Sequence, residues 1–179
     1  MRRRDSAATK QLLLDAARRR FATDGYTATF IRDIATDAGV NVALIARYFG
    51  NKEGLFRACL AGSADELERS VAEDVTLDQL AAVMARHLTD ARAGQHQTRI
   101  MMLLRSSGDP RAEEIRIGTL QSFAERLAGL SGAPVLDAQV VLAAMLGLTI
   151  LRSAGVAPLA GAEKDELVPP LQRLISAML

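Results

Sequence analysis

The stretch Thr27–Phe56, TATFIRDIATDAGVNVALIARYFGNKEGLF, decides how the rest of the chain is read. Ile31, Ile34, Ala35 and Ala38 fall on one face of a short helix, Gly39 breaks it, Val40 plugs inward, and Asn41 is placed to cap a second helix over Val42–Phe49. Two short helices joined by a glycine-containing turn are the geometry that lets the second enter a DNA major groove. Upstream, Leu12, Leu13, Ala16, Ala17 and Phe21 recur at helical spacing and Asp24-Gly25-Tyr26 ends that segment. Three helices are therefore expected before Asn51.

The order I-A-x-x-A-G-V, a variable interval, Y-F, two positions, then K-E-G-L-F resembles the N-terminal domain of TetR-family (tetracycline-repressor-like) regulators. Ala43–Phe56, ALIARYFGNKEGLF, is similar above all to actinobacterial members. The resemblance is strong through Phe56 and beyond it fades to general architecture. It implies an all-α fold with about nine helices: a helix-turn-helix DNA-binding domain over residues 1–51 and a helical effector-binding and dimerisation domain over 52–179. The sequence departs from the family pattern in two places. Phe30 stands where a capping Thr is usual, with Thr29 one residue before it, and Ala46-Arg47-Tyr48-Phe49 replaces the usual Tyr-x-His-Phe.

Hydrophobic content of 49%, five prolines and 4% aromatic residues describe a helical chain with a core of its own, not a disordered or β-rich one. The lone Cys59 excludes a disulfide scaffold, and the basic N-terminus lacks the apolar core and cleavage site of a signal peptide, so a cytoplasmic location is expected. Val140–Leu151 is an uncharged apolar run of twelve residues, short of the roughly 20 that span a bilayer, and reads as a buried helix without a membrane role. The net charge of +1 hides an asymmetry. Residues 1–60 hold eleven Lys and Arg against six Asp and Glu, a net +5, and the remainder is net −4. Excess positive charge on the helix-turn-helix half suits phosphate binding.

Periodicity predicts further helices at Lys52 to about Glu73, Leu77–Ala93, Gln97–Ser106, Pro110–Gly129, Leu136–Ser153 and Glu163–Met178. In the first of these Leu55, Phe56, Cys59, Leu60 and Leu67 face inward behind an Asn51 cap. Asp109-Pro110 is a good helix start, whereas Pro169-Pro170 should kink or restart the last helix.

For base readout the candidates are Asn41, Val42, Ala43 and Leu44 at the leading edge of the recognition helix, with Arg47 forking onto guanine or clamping phosphate and Tyr48 beside it. Asn41 has a purely capping alternative, and Leu44 a packing one. By resemblance Lys52 binds phosphate, while Thr29 and Arg32 are further phosphate candidates and Arg2, Arg3 and Arg4 form an arm or a solvated end. The resemblance also implies a small lipophilic effector held among Met84, Leu88, Met101, Met102, Leu104, Leu120 and Phe123, for which plain core is the alternative, with Arg105, His87 and Arg99 as polar candidates for orienting it, for which a surface or interhelix role is the alternative. Val140, Val141, Ala144, Met145, Leu148 and Leu151, then Leu171, Leu174, Ile175 and Met178, form the expected homodimer seam, for which an intramolecular core is the alternative. Neither His87 nor His96 has metal-ligand neighbours, and no phosphate-cradling loop or nucleophile elbow is present, so no catalytic residue, metal or cofactor is assigned. The function these readings imply is repression at a palindromic double-stranded DNA operator, relieved by effector. The alternatives are a regulator without an effector, or a helical binding protein with a vestigial helix-turn-helix.

Overall fold

The computed structural model describes the backbone of residues 2–71, 77–90, 93–105 and 108–179, and all side chains except 1–5, 62–78, 91–97, 99 and 106–107. The readings on Leu67, His96, Arg99 and the Arg2–Arg4 arm fall outside the described side chains. Among the described residues the chain is entirely helical: α1 Arg2–Ala28, α2 Ile31–Asp37, α3 Ala43–Phe49, α4 Lys52–Val71, α5 Leu77–Thr89, α6 Ala93–Leu104, α7 Pro110–Ser131, α8 Val135–Ser153 and α9 Lys164–Met178. The all-α expectation of about nine helices is met.

Two compact units result, and they do not part at residue 51. The first holds residues 1–63 together with 101–118, the second 64–100 with 119–179. In the first, Leu13, Ala16, Ala17 and Phe21 of α1 are buried, with Leu55, Phe56, Cys59 and Leu60 of α4. Leu12, which shares their helical spacing, is 52% exposed, because its neighbour Leu13 takes the core side of the helix. Three rings close the unit beneath the α1–α2 corner, with centroids at 5.1 Å for Phe21–Phe56, 5.0 Å for Tyr26–Phe56 and 5.7 Å for Phe21–Tyr26. Aromatic contacts of this spacing add to the burial of apolar area.

The second unit packs α5 against α9, with α8 beside both. Leu80, Ala81, Met84, Ala85 and Leu88 of α5 meet Val141 of α8 and Leu167, Leu171 and Ile175 of α9 in one buried cluster. This corrects part of the expected dimer seam. Val141, Leu171 and Ile175 are consumed inside their own chain, and Met145, Leu148 and Met178 pack against the same cluster, because α5 contributes Leu80, Met84 and Leu88 to it, as the intramolecular alternative has it. Pro169 and Pro170 do not break α9, which runs through both while Leu167, Leu171 and Ile175 anchor it. A capping box starts this helix, with Glu163 and Glu166 each satisfying a backbone N–H of the first turn.

Helix α8 differs from expectation in the other direction. Only Ala138 and Val141 are buried in it, while Leu136 is 68% exposed and Val140 and Leu151 are also bare. Taken whole, Val135–Ser153 is long and apolar enough to cross a membrane, a property the twelve-residue run understated. Within its own chain it is not a buried helix.

Candidate nucleic-acid interface

The local geometry begins where α1 ends. Gly25 leaves the helix at φ 81°, ψ 170°, a left-handed excursion that glycine makes without steric cost, and the chain turns toward α2. Thr29 Oγ1 donates to the Gly25 carbonyl at 2.6 Å and the residue is buried, so Thr29 fastens this corner and is not presented to a phosphate. That corrects its reading as a DNA contact. Phe30 then occupies the cap position of α2 in extended backbone with no side-chain cap, 66% exposed, its carbonyl accepting from the Asp33 and Ile34 N–H groups.

Ile34 and Ala35 are the buried residues of α2. The helix ends as its sequence predicts: Gly39 sits at φ 66°, its N–H donates to the Thr36 carbonyl, and the Val40 N–H reaches the Ala35 carbonyl at 3.0 Å. These paired bonds satisfy two carbonyls that a helix end otherwise leaves orphaned. A clamp fixes α2 to α1 across seventeen residues, since Arg20 donates to both Asp37 oxygens, Nε at 2.6 Å and Nη2 at 2.9 Å. The guanidinium beside Asp37 holds its carboxyl below the ordinary value of 3.8. A folded-state pKa below the unfolded one means the carboxylate stabilises the fold above the unfolded value and loses that contribution as pH falls through the folded one. The Asp37→Asn variant is accordingly expected to show a shallower fall of Tm than the unmodified protein between about pH 5 and about pH 3, measured by circular dichroism.

At the start of α3 Asn41 Oδ1 accepts the Ala43 N–H at 2.8 Å, so the capping role read for Asn41 is present and its side chain is exposed. Ile45 is fully buried and Leu44 half-buried, which leaves Val42, Ala43, Ala46 and Arg47 as the outward face. Tyr48 is half-buried, and its hydroxyl accepts from Ser6 Oγ of α1 at 3.3 Å while the Arg47 guanidinium lies 5.9 Å from its ring centroid. Arg32 is exposed on α2. The candidates Arg32, Asn41, Val42, Ala43 and Arg47 thus share access to solvent, whereas Leu44 and Tyr48 contribute partly to packing.

Gly50, at φ 79°, ends α3, and Asn51 Oδ1 caps α4 through the Gly54 N–H at 2.8 Å. Lys52 is drawn onto the face of Tyr26, its Nζ 4.2 Å from the ring centroid. Burial pulls the ammonium pKa down while the field of Asp109 opposes the shift. The Tyr26 phenol is pushed up to about 12, chiefly by burial, with Glu53 and Asp109 adding to the rise. Lys52 therefore begins from a stacked position at the mouth of α4.

The expected effector residues are dispersed over the two units. Met101, Met102, Leu104 and Arg105 lie in the first; Met84, Leu88, Leu120 and Phe123 lie in the second. Met102 is buried, but Leu104 is 43% exposed. Arg105 is engaged elsewhere, donating from Nη1 to the carbonyls of Ala22, at 2.9 Å, and Thr23. His87 Nδ1 is 2.9 Å from the Val83 carbonyl, a bond within its own helix. Three features escaped the sequence reading: the Arg20–Asp37 clamp, the partners of Arg105, and the close approach of Gly54 to the Phe49 carbonyl, where a Cβ would stand 2.0 Å from the oxygen. The glycine had a signal, since it sits inside a helix where another residue would be more stable.

A capped, glycine-turned helix pair with one outward polar and small-residue face, braced by a third helix, defines a helix-turn-helix protein. The chain belongs to the TetR family: residues 13–59 match the bacterial regulatory proteins of the tetR family, and residues 78–179 match the tetracyclin repressor-like C-terminal domain. The HTH-type transcriptional dual regulator CecR of Shigella flexneri is 46% identical over 56 residues, 31% of this chain and 25% of CecR. An HTH-type transcriptional repressor of Mycobacterium tuberculosis is 37% identical over 75 residues, 42% of this chain and 40% of that protein. The chain thus matches well under half the length of these curated relatives. The crystal structure of FadR from Bacillus subtilis, in complex with stearoyl-CoA, shares the fold with a TM-score of 0.67 at 20% identity, over 94% of this chain and 98% of FadR.

Proposed function

We propose that this chain is a transcriptional repressor that works in the cytoplasm as a homodimer, bound to a palindromic operator until a small lipophilic effector releases it. The observation that carries the reading is the outward face of α3, where Asn41, Val42, Ala43 and Arg47 stand exposed above the fully buried Ile45. Small apolar groups and one guanidinium on that edge suit thymine methyls and guanine or phosphate. Lys52 and Arg32 hold phosphate from either side, Lys52 by leaving the Tyr26 ring. Tyr48 positions the helix through Ser6, and Leu44 lines its margin.

The bare apolar side of α8 supports the dimer. Leu136, Val140, Ala143 and Leu151 are exposed, and Ala143, Ala144 and Gly147 allow a partner helix to approach closely. Leu174 of α9, half-buried, completes the seam. The effector site belongs to the second unit, among the helices that carry Met84, Leu88, Leu120 and Phe123. The stearoyl-CoA complex of the similarly folded FadR is in keeping with a molecule that carries a long apolar chain. Repression follows if effector selects a state whose recognition helices are wrongly spaced, and a ligand with about 100-fold preference shifts the balance by about 2.7 kcal/mol.

DNase footprinting on the DNA upstream of the chain's own gene tests the reading. A footprint with two symmetric halves centred about one helical turn, roughly 34–36 Å, apart is expected. A single unsymmetrical half, together with a monomeric mass by analytical ultracentrifugation, contradicts the dimer.

A further inference from the structure

Arg105 reaches from the end of α6 to the end of α1. The Nη1 group donates to the carbonyls of both Ala22, at 2.9 Å, and Thr23, residues 83 and 82 positions away. These carbonyls belong to the last regular turn before Gly25 diverts the chain toward α2, and that turn, 21–24, carries Asp24 and no cation of its own. A helix end with unpaired carbonyls and a negative partial charge is where a guanidinium is most favourable. The next link is Thr29 on the Gly25 carbonyl at 2.6 Å, so Thr29 and Arg105, one local and one distant, fasten the α1–α2 corner together with the Arg20–Asp37 clamp.

The segment from which Arg105 reaches is itself tied to its neighbours. Arg116 of α7 donates to the Leu103 carbonyl at 2.9 Å and pairs with Glu113 at 2.6 Å. Asp109 caps α7 through the Arg111 and Ala112 N–H groups, and Arg111 pairs with Glu53 in the first turn of α4 at 2.9 Å. The end of α6 and the start of α7 belong to the same compact unit as the helix-turn-helix.

We infer that Arg105 is a positioning residue for DNA reading: it caps α1 from a distance, sets the angle at which α2 leaves the Gly25 corner, and through α2 aims α3, without touching DNA itself. This rests on the DNA-binding reading above. Because Arg105 is exposed, a direct phosphate contact is the competing role, and salt separates the two. A lost phosphate contact lowers the slope of log affinity against log salt by about 0.9, whereas a misaimed helix weakens binding with the slope unchanged.

The test compares the full-length protein with Arg105→Ala and Arg105→Lys on the DNA upstream of its own gene, by fluorescence anisotropy across a salt series. Amide hydrogen exchange over Thr27–Asp37 is followed in the DNA-free proteins. Expected for Arg105→Ala are binding weaker by about tenfold, the scale of one charged hydrogen bond, an unchanged slope, and faster exchange across Thr27–Asp37 with α9 unaffected. Arg105→Lys, which keeps a cation at the carbonyls, should recover most of both losses. A reduced slope, or exchange over Thr27–Asp37 identical to that of the unmodified protein, overturns the assignment. If the unmodified protein ignores this DNA, the repressor reading suffers while the exchange measurement still decides the role of Arg105. If Arg105→Ala does not fold, exchange in Arg105→Lys and in Arg105→Gln, which keeps a donor without the charge, decides in its place.

Discussion

Replacing Gly54 by alanine is expected to destabilise the protein, although helix propensity alone predicts the opposite. Gly54 lies in the first turn of α4, and a glycine-to-alanine change inside a helix normally gains up to about 1 kcal/mol. Here a Cβ would stand 2.0 Å from the carbonyl oxygen of Phe49 and 3.2 Å from its carbonyl carbon. The obstacle is backbone, at the end of the recognition helix, so relief requires α3 and α4 to part. Overpacking of this kind costs typically about 1–3 kcal/mol, and a clash with backbone belongs at the upper end, which exceeds the propensity gain. For a chain of this size a net loss near 2 kcal/mol lowers Tm by about 4–8 °C. A thermal melt followed by circular dichroism reads this directly, and a Tm equal to or above that of the unmodified protein would refute the close approach. Phe49 is the last residue of α3, so the same variant should also bind DNA less tightly.

The second large effect is expected at Arg47. The side chain is exposed on the outward face of α3, next to the ring of Tyr48, and replacing it with alanine removes no buried group. Thermal stability should therefore stay within about 0.5 kcal/mol of the original, as for surface substitutions generally. DNA affinity should fall, because a guanidinium forked onto a guanine is worth about 1–3 kcal/mol, or roughly 5- to 150-fold. How the loss varies with DNA sequence tells base contact from phosphate contact. If Arg47 reads a base, the drop is large on the specific site and small on scrambled DNA; if it clamps phosphate, both fall together. An affinity on the specific site unchanged by the substitution would remove Arg47 from the interface. The contrast with Gly54 is diagnostic, since one change acts through stability and the other at constant stability.

The helix-turn-helix could be read from sequence because its turn and its caps are local. Gly39 ends α2, Asn41 caps α3 and Asn51 caps α4 through partners within three residues, and Ile34, Ala35 and Ile45 follow helical spacing. The misreadings share a different cause. Thr29 resembles an exposed cap until the Gly25 turn brings a carbonyl back onto its hydroxyl. Val141, Leu171 and Ile175 looked like a seam between protomers because nothing in their own helices shows that α5 lies over them. For Arg105 the sequence leaves a ligand role and an interhelix role open, because its partners, Ala22 and Thr23, are more than eighty residues away. Periodicity identifies an apolar or polar face, and only the tertiary arrangement tells what meets it. The same limit explains α8, whose composition suggested burial while the fold leaves Leu136, Val140 and Leu151 exposed.

The most direct test of the central claim is the affinity of the purified protein for the DNA upstream of its own gene against scrambled DNA of the same length, by fluorescence anisotropy across a salt series. The account predicts binding at least about a thousandfold tighter to the specific DNA, weakening with a log–log slope of about 0.9 per neutralised phosphate, from contacts that include Arg32 and Lys52. Equal, weak binding to both DNAs, persisting when fragments selected from a random library are tested, would contradict a sequence-reading role for the helix-turn-helix.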